Sequence, residues 1–154
     1  MQVVAANGAS IPAIGLGTWD LRGRTCVRMV EAALRLDYRH VDTAEMYGNE
    51  SEVGEGLRAA NVARDGVFIT TKVWPSHFAP RDLERSAQES LSRLGLAAVD
   101  LLLLHWPNPQ IPLSETLLAL CKVKRMGLAR NIGVSNFTVA LIEQAVKVAD
   151  EPLV

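Results

Sequence analysis

Apolar positions along the chain alternate between two rhythms. Residues 14–18, 39–43, 68–74, 99–105 and 131–136 are short, near-continuous apolar runs rich in branched side chains. Runs of that length suit strands covered on both faces, as in a parallel sheet. Between them, apolar residues recur at helical spacing. Val27, Val30 and Leu34 mark one helix from Thr25, and Val53 and Leu57 mark a second over 50–57, with Asn49 as its candidate N-cap. Leu83, Ala87, Leu91 and Leu94 mark a third, which starts near Pro80 and stops at Gly95, as proline in a first turn and glycine past a helix end predict. Ser114 and Thr138 are candidate caps for two more. The first carries Leu117, Leu120 and Cys121 and stops before Gly127; the second carries Leu141, Ile142 and Ala145.

The chain therefore reads as a strand–helix unit repeated five times. Strand ends fall near Gly17, Asp42, Lys72, His105 and Val134, roughly 30 residues apart, the size of a βα unit. Residues 151–154 have the pattern of an approach to a sixth strand. Asn7-Gly8 is a hairpin-turn pair between two short extended pieces, and the hairpin over residues 1–13 is placed to plug the bottom of a barrel. Two α/β architectures accommodate this order: an open doubly wound sheet and a (β/α)8 TIM barrel. The doubly wound sheet wants G-x-G-x-x-G after its first strand. Gly15-Leu16-Gly17-Thr18-Trp19-Asp20 puts an acid where the third glycine belongs, which opposes pyrophosphate. A barrel makes no such demand, but it takes about 250 residues. One incomplete barrel domain over residues 1–154, with about five βα units, is the expectation.

Composition narrows the partners. The chain is 49% hydrophobic and 21% charged, enough apolar material for a sizeable core. A formal net charge of −1, without a Lys/Arg stripe, argues against nucleic acid and anionic membrane surfaces. The apolar runs are too short to span a bilayer. The first residues lack a basic segment followed by an apolar core, so a cytoplasmic setting is expected. Cys26 and Cys121 lie in helix-like segments without Cys or His neighbours at metal-ligand spacing; two buried, reduced thiols and no metal are expected.

Polar residues that are unusual in buried strands gather at the same end of the runs. Asp42 closes the second, Tyr47 follows in the next loop, Lys72 stands late in the third, His105 closes the fourth, and Ser135 and Asn136 close the fifth. In a barrel those ends form one rim, and the rim carries the active site. Each residue alone has a plain alternative. Asp42 is placed to cap a turn, Tyr47 to pack its ring with the hydroxyl in water, and His105 to be a satisfied core histidine. Lys72 resists such a reading, because an ammonium within Ile69-Thr70-Thr71-Lys72-Val73-Trp74 must either snorkel out or find a carboxylate.

Together these groups suit one chemistry. A phenol is a poor acid by itself, with a reference pKa of about 10, and an adjacent ammonium favours its ionised form. A carboxylate beside that ammonium keeps it charged. Asp42, Lys72 and Tyr47 then form a chain whose output is a proton donor, while His105 steers a carbonyl oxygen towards the phenol. Such a site protonates an oxygen as charge develops on it, as reduction of a carbonyl by hydride requires.

Six segments carry a family resemblance: Gly15-Leu16-Gly17-Thr18-Trp19, Arg39-His40-Val41-Asp42-Thr43-Ala44, Tyr47-Gly48-Asn49-Glu50, Thr70-Thr71-Lys72-Val73-Trp74, His105-Trp106-Pro107 and Ile132-Gly133-Val134-Ser135-Asn136-Phe137. In that order and spacing they resemble the signature segments of the aldo-keto reductases, and most closely the bacterial 2,5-diketogluconate reductase branch. The resemblance runs from about Ser10 to the last residue. It implies a TIM barrel and NAD(P)H-dependent reduction of an aldehyde or ketone, with NADPH the usual cofactor and NADH the alternative. It places the catalytic tetrad on Asp42, Tyr47, Lys72 and His105. Cofactor contacts would come from Gly17, Thr18, Trp19, Asp42, Ser135 and Asn136, and substrate contacts from Trp19, Tyr47, Trp74, His105 and Trp106. Asp37 stands where the family commonly has glycine, a departure that Asp tolerates in left-handed geometry.

Reductases of this kind continue through three more βα units, which hold the rest of the cofactor site and the substrate-selecting loop. The full-length form is expected to be a monomer. The 154 residues alone, with two open sheet edges, are expected to self-associate and to show little activity. Two rival readings remain open. One is a catalytically incompetent, reductase-like binding or regulatory module. The other is a metal-dependent hydrolase using His40 and Asp42, two apart on one strand face, with His105 and Lys72.

Overall fold

The computed structural model describes residues 2–154; Met1, counted in the expected hairpin segment, lies outside them. Asn7 and Gly8 take φ of 41° and 93°, the left-handed geometry of a two-residue hairpin turn. They join β1 (Val3–Ala6) to β2 (Ala9–Pro12) as an antiparallel pair. The chain continues through β3 (Leu16–Gly17), α1 (Gly23–Arg35), β4 (His40–Asp42), α2 (Glu50–Ala60), β5 (Phe68–Val73), α3 (Pro80–Leu94), β6 (Val99–Leu104), α4 (Leu113–Arg125), β7 (Ala129–Val134) and α5 (Val139–Val148). The parallel strands lie in the order β3-β4-β5-β6-β7. Each strand's neighbour in the chain is also its neighbour in the sheet, so the order never reverses among the described residues. With right-handed crossovers, such an order puts every helix on one face. That is a barrel wall, not a doubly wound sheet with its switch point. Leu153 makes a parallel bridge to Ile132 beside β7, as the pattern of residues 151–154 predicts.

Period-two alternation divides the wall into two faces. Val41, Ile69, Val73, Leu102 and Leu104 are buried in one cluster with Val30, Leu34, Val53, Leu83, Leu94 and Leu117 of the helices. His40, Asp42, Thr70 and Lys72 share the opposite, concave face, where His40 Nε2 lies 2.9 Å from Thr70 Oγ1. Helix α2 fits closely between its neighbours because of two glycines. A Cβ on Gly54 would run into the Leu94 carbonyl, and one on Gly56 would stand 2.7 Å from Val30 Cβ.

At the N-terminal ends of the strands, Asp100 accepts hydrogen bonds from Ile69 N (2.8 Å), Arg64 (2.7 Å) and Arg130 (3.1 Å). Gly8, Ala9, Ser10 and Pro12 of the hairpin border the cavity beside this cluster, and Asn7 Nδ2 donates to the Leu153 carbonyl at 2.5 Å. The hairpin thus lies at the end of the wall opposite the polar rim.

Several helix ends match the sequence and two correct it. Gly95, Gly127 and Asp37 take left-handed exits with φ of 69°, 76° and 66°, and Thr138 Oγ1 accepts from Leu141 N at 3.3 Å to cap α5. Ser114 caps nothing: α4 starts at Leu113, and Pro112 holds the capping position without a side-chain bond. Asn49 does sit at the N-cap of α2 but bonds elsewhere. The first parallel strand is also shorter than residues 14–18, since Ile14 is exposed instead of covered. Cys26 and Cys121 are free and fully buried. Burial pushes the Cys26 thiol up to about 11 and raises that of Cys121 as well.

Candidate functional site

Lys72 decides the site. It is 6% exposed, so its ammonium does not snorkel out, and the charge must find acceptors where it lies. Its Nζ donates to Asp42 Oδ1 at 2.6 Å and to the Thr43 carbonyl at 2.9 Å, and stands 3.3 Å from the Tyr47 hydroxyl. Tyr47 ends a short 3-10 turn, Glu45–Tyr47, and Gly48 leaves it at φ 64°. Asn49 pins the far side of that turn. Its buried amide donates to the carbonyls of Thr18 (2.7 Å) and Leu21 (3.0 Å), and its Oδ1 accepts from Thr43 Oγ1 (2.8 Å).

His105 follows β6, with its backbone N donating to the Val73 carbonyl at 3.1 Å. Its ring meets two others edge-on, Tyr47 at 5.7 Å and Trp74 at 5.3 Å between centroids. Burial, with the Lys72 ammonium adding to it, holds the imidazole below its ordinary value. The neutral ring is favoured, and its Nδ1 is buried without a protein partner. Burial lowers His40 too. Its Nε2 faces Thr70 Oγ1 at 2.9 Å, a partner other than Asp42. Among the described residues, no three His, Cys, Asp or Glu side chains gather as a metal cage.

The remaining candidates surround this centre. Ser135 N donates to the Leu104 carbonyl at 2.8 Å. Asn136, at φ 62°, sends Nδ2 to the His105 carbonyl (2.8 Å) and to Ser135 Oγ (3.0 Å). Thr18 is buried, and its hydroxyl is spent on the Asp42 carbonyl at 3.0 Å. Trp19 and Trp106 are 64% and 48% exposed; Trp74, not Trp106, is the indole that packs on His105. Nothing lies within 4 Å of where a Gly17 Cβ would stand, leaving open space next to Asp42.

Sequence patterns assign Glu45 and Glu50 no role at the site and Asn49 only that of a helix cap. Glu50 is buried, accepting from Thr71 Oγ1 at 2.5 Å and Arg93 Nε at 2.7 Å. Glu45 accepts from Trp74 N at 2.6 Å, His77 Nδ1 at 2.9 Å and Ser86 Oγ. Charged residues outside the apolar runs read as solvated, and the partners of the two glutamates stand 21 to 43 positions away. The one available signal was three buried-strand polar residues, Thr70, Thr71 and Lys72, in a row.

Residues 13–154 match the Aldo/keto reductase family. The chain belongs to that family. It is 42% identical over 139 residues to the methylglyoxal reductase DkgB of Yersinia pestis, a match covering 89% of this chain and 52% of that one. A crystal structure assigned as a 2,5-diketo-D-gluconic acid reductase B superposes with a TM-score of 0.97 at 44% identity, over 99% of this chain and 54% of that one. A Bombyx mori aldo-keto reductase in complex with NADP gives 0.92 at 34% identity, over 99% and 56%. The chain spans about half the length of the curated relatives it matches. Its five βα units correspond to part of the aldo-keto reductase (β/α)8 barrel, on the 2,5-diketogluconate reductase side of the family.

The residues present fit the nicotinamide end of a cofactor. Ser135 and Asn136 offer a hydroxyl and an amide at the rim, Gly17 leaves a clear approach, and His105 Nδ1 is a buried nitrogen lacking a partner.

Proposed function

We propose that the protein carrying this chain reduces a small aldehyde or ketone to the alcohol with NAD(P)H, NADPH being the first choice. The hairpin and five βα units would act within one barrel domain. The observation that carries the reading is the contact set of Lys72, which meets both Asp42 Oδ1 and the Tyr47 hydroxyl beside the His105 ring. The reductase names of the relatives, and the NADP bound by the Bombyx mori protein, support it.

Tyr47 is the proton donor to the carbonyl oxygen. As the phenol gives up its proton, the Lys72 ammonium stabilises the negative charge left on its oxygen. Asp42 keeps that ammonium charged in its buried position, and Thr43 fixes its direction through the backbone carbonyl. His105, held neutral by burial and by Lys72, directs the carbonyl oxygen to the phenol without adding a competing cation. Ser135 and Asn136 would grip the nicotinamide carboxamide, with Gly17, Thr18 and Trp19 along the adjoining ribose. Trp19, Trp74 and Trp106 would offer apolar surface to the substrate. The bound cofactor supplies the hydride that the carbonyl carbon receives. Tyr47 then recovers its proton from solvent.

Tyr47→Phe tests the reading in the whole natural protein. Carbonyl reduction should fall about 10²–10⁴-fold, the range of a lost general acid, with NADPH affinity unchanged within about twofold. Retained activity, or activity abolished by a chelator and restored by zinc, would overturn it.

A further inference from the structure

We propose that Glu45 is a positioning residue of this site, clamping the turn that carries Tyr47 to the exit of β5 and so holding the Tyr47 and Trp74 rings edge-on to His105. The inference rests on the proposed carbonyl-reducing role of Tyr47.

The Tyr47 turn is only three residues long, and short 3-10 turns are held poorly by their own hydrogen bonds. Its flanks are tied down by Thr43 and Asn49. Within the turn, Glu45 ties the backbone past β5 and helix α3 to the segment that carries Tyr47. Oε1 accepts from Trp74 N at 2.6 Å, the first amide past the end of β5. The same oxygen takes His77 Nδ1 at 2.9 Å, and Oε2 takes the Ser86 hydroxyl from α3. The carboxylate is 9% exposed, while the His77 side chain is 44% exposed, so the Trp74 amide and the Ser86 hydroxyl are the donors that would lose a partner that water replaces poorly.

The consequence falls on two rings. Tyr47 and Trp74 both stand edge-on to His105, at 5.7 and 5.3 Å; Tyr47 lies two residues after Glu45, and the Trp74 amide donates directly to the Glu45 carboxylate. Releasing the clamp frees the turn to drift from Lys72, whose 3.3 Å contact with the Tyr47 oxygen is the longest of its three. It also frees Trp74 to leave His105. Hydrogen-bond and proton-transfer geometry degrade steeply over such shifts. The cofactor candidates Ser135 and Asn136 hang from Leu104 and His105, and Thr18 from Asp42. None of them bonds to Glu45, whose partners are Trp74, His77 and Ser86, so cofactor affinity should change little when the clamp is lost.

The test uses Glu45→Ala, with Glu45→Gln as the variant that keeps length and an accepting oxygen, both in the whole natural protein. Glu45→Ala should lower kcat at least tenfold, leave the Kd for NADPH within twofold, and move the His105 ring-proton NMR signals, which the two edge-on rings shift. Glu45→Gln should recover part of both effects, and it carries the test alone if the alanine variant does not fold. Unmoved His105 signals, or kcat within twofold of the parent, would overturn the proposal. The NMR signals are read without turnover. A parent protein lacking carbonyl reduction would overturn the proposed function, while moved signals would still place Glu45 as the clamp.

Discussion

Lys72 and Asp42 form an ion pair that is buried at one end only. Nζ and Oδ1 are 2.6 Å apart, yet the lysine side chain is 8% exposed and the aspartate 33%. Removing the carboxylate strands a buried ammonium with the Thr43 carbonyl as its remaining strong acceptor. Removing the ammonium leaves a carboxylate that water can reach.

The two deletions should therefore differ. Asp42→Ala is expected to lower stability by about 1–3 kcal/mol, the cost of an uncompensated buried charge with one partner left. Lys72→Met, with an apolar stem of similar length, should change it by less than about 1 kcal/mol. Both should lose carbonyl reduction at least 10²-fold. Urea denaturation alongside steady-state assays checks this, and equal destabilisation by the two would contradict the asymmetry.

Stability should fall in mild acid. His40 and His105 are both lowered from the ordinary value of 6.5, chiefly by burial. The unfolded chain then binds protons that the folded chain refuses, so stability is full above about pH 6.5 and declines as pH falls towards the depressed folded values. His40→Gln should flatten that decline between pH 7 and 5. Denaturant melts across the range measure it; a parent profile flat over this window would refute the expectation.

Gly54 offers a test of packing against propensity. Alanine is preferred in a helix interior by about 1 kcal/mol, so Gly54→Ala would stabilise an isolated helix. Here its Cβ would meet the Leu94 backbone carbonyl, which cannot swing aside as a side chain would. Overpacking of this kind costs about 1–3 kcal/mol, and the net effect should be destabilising. A higher Tm in the variant would show that α2 and α3 can separate freely.

The sequence by itself determined the order of elements and the barrel-type repeat, and it singled out Asp42, Tyr47, Lys72 and His105 as candidates, because each of those is a local pattern. Apolar runs and helical spacing report burial, while Asn7-Gly8, Gly95 and Asp37 report backbone geometry that only certain residues tolerate. Lys72 was legible for the same reason: a charge inside an apolar run demands a partner. The tertiary structure alone decided which partner each polar group took. Asn49 looks like a cap but spends its amide on Thr18 and Leu21, and Ser114 gives way to Pro112 at the start of α4. Glu45 looks like a solvated loop residue but collects donors from Trp74, His77 and Ser86. Those choices depend on how closely β5, α2 and α3 approach one another. Hydrogen bonds fall off within a fraction of an ångström, a distance that sequence spacing does not encode.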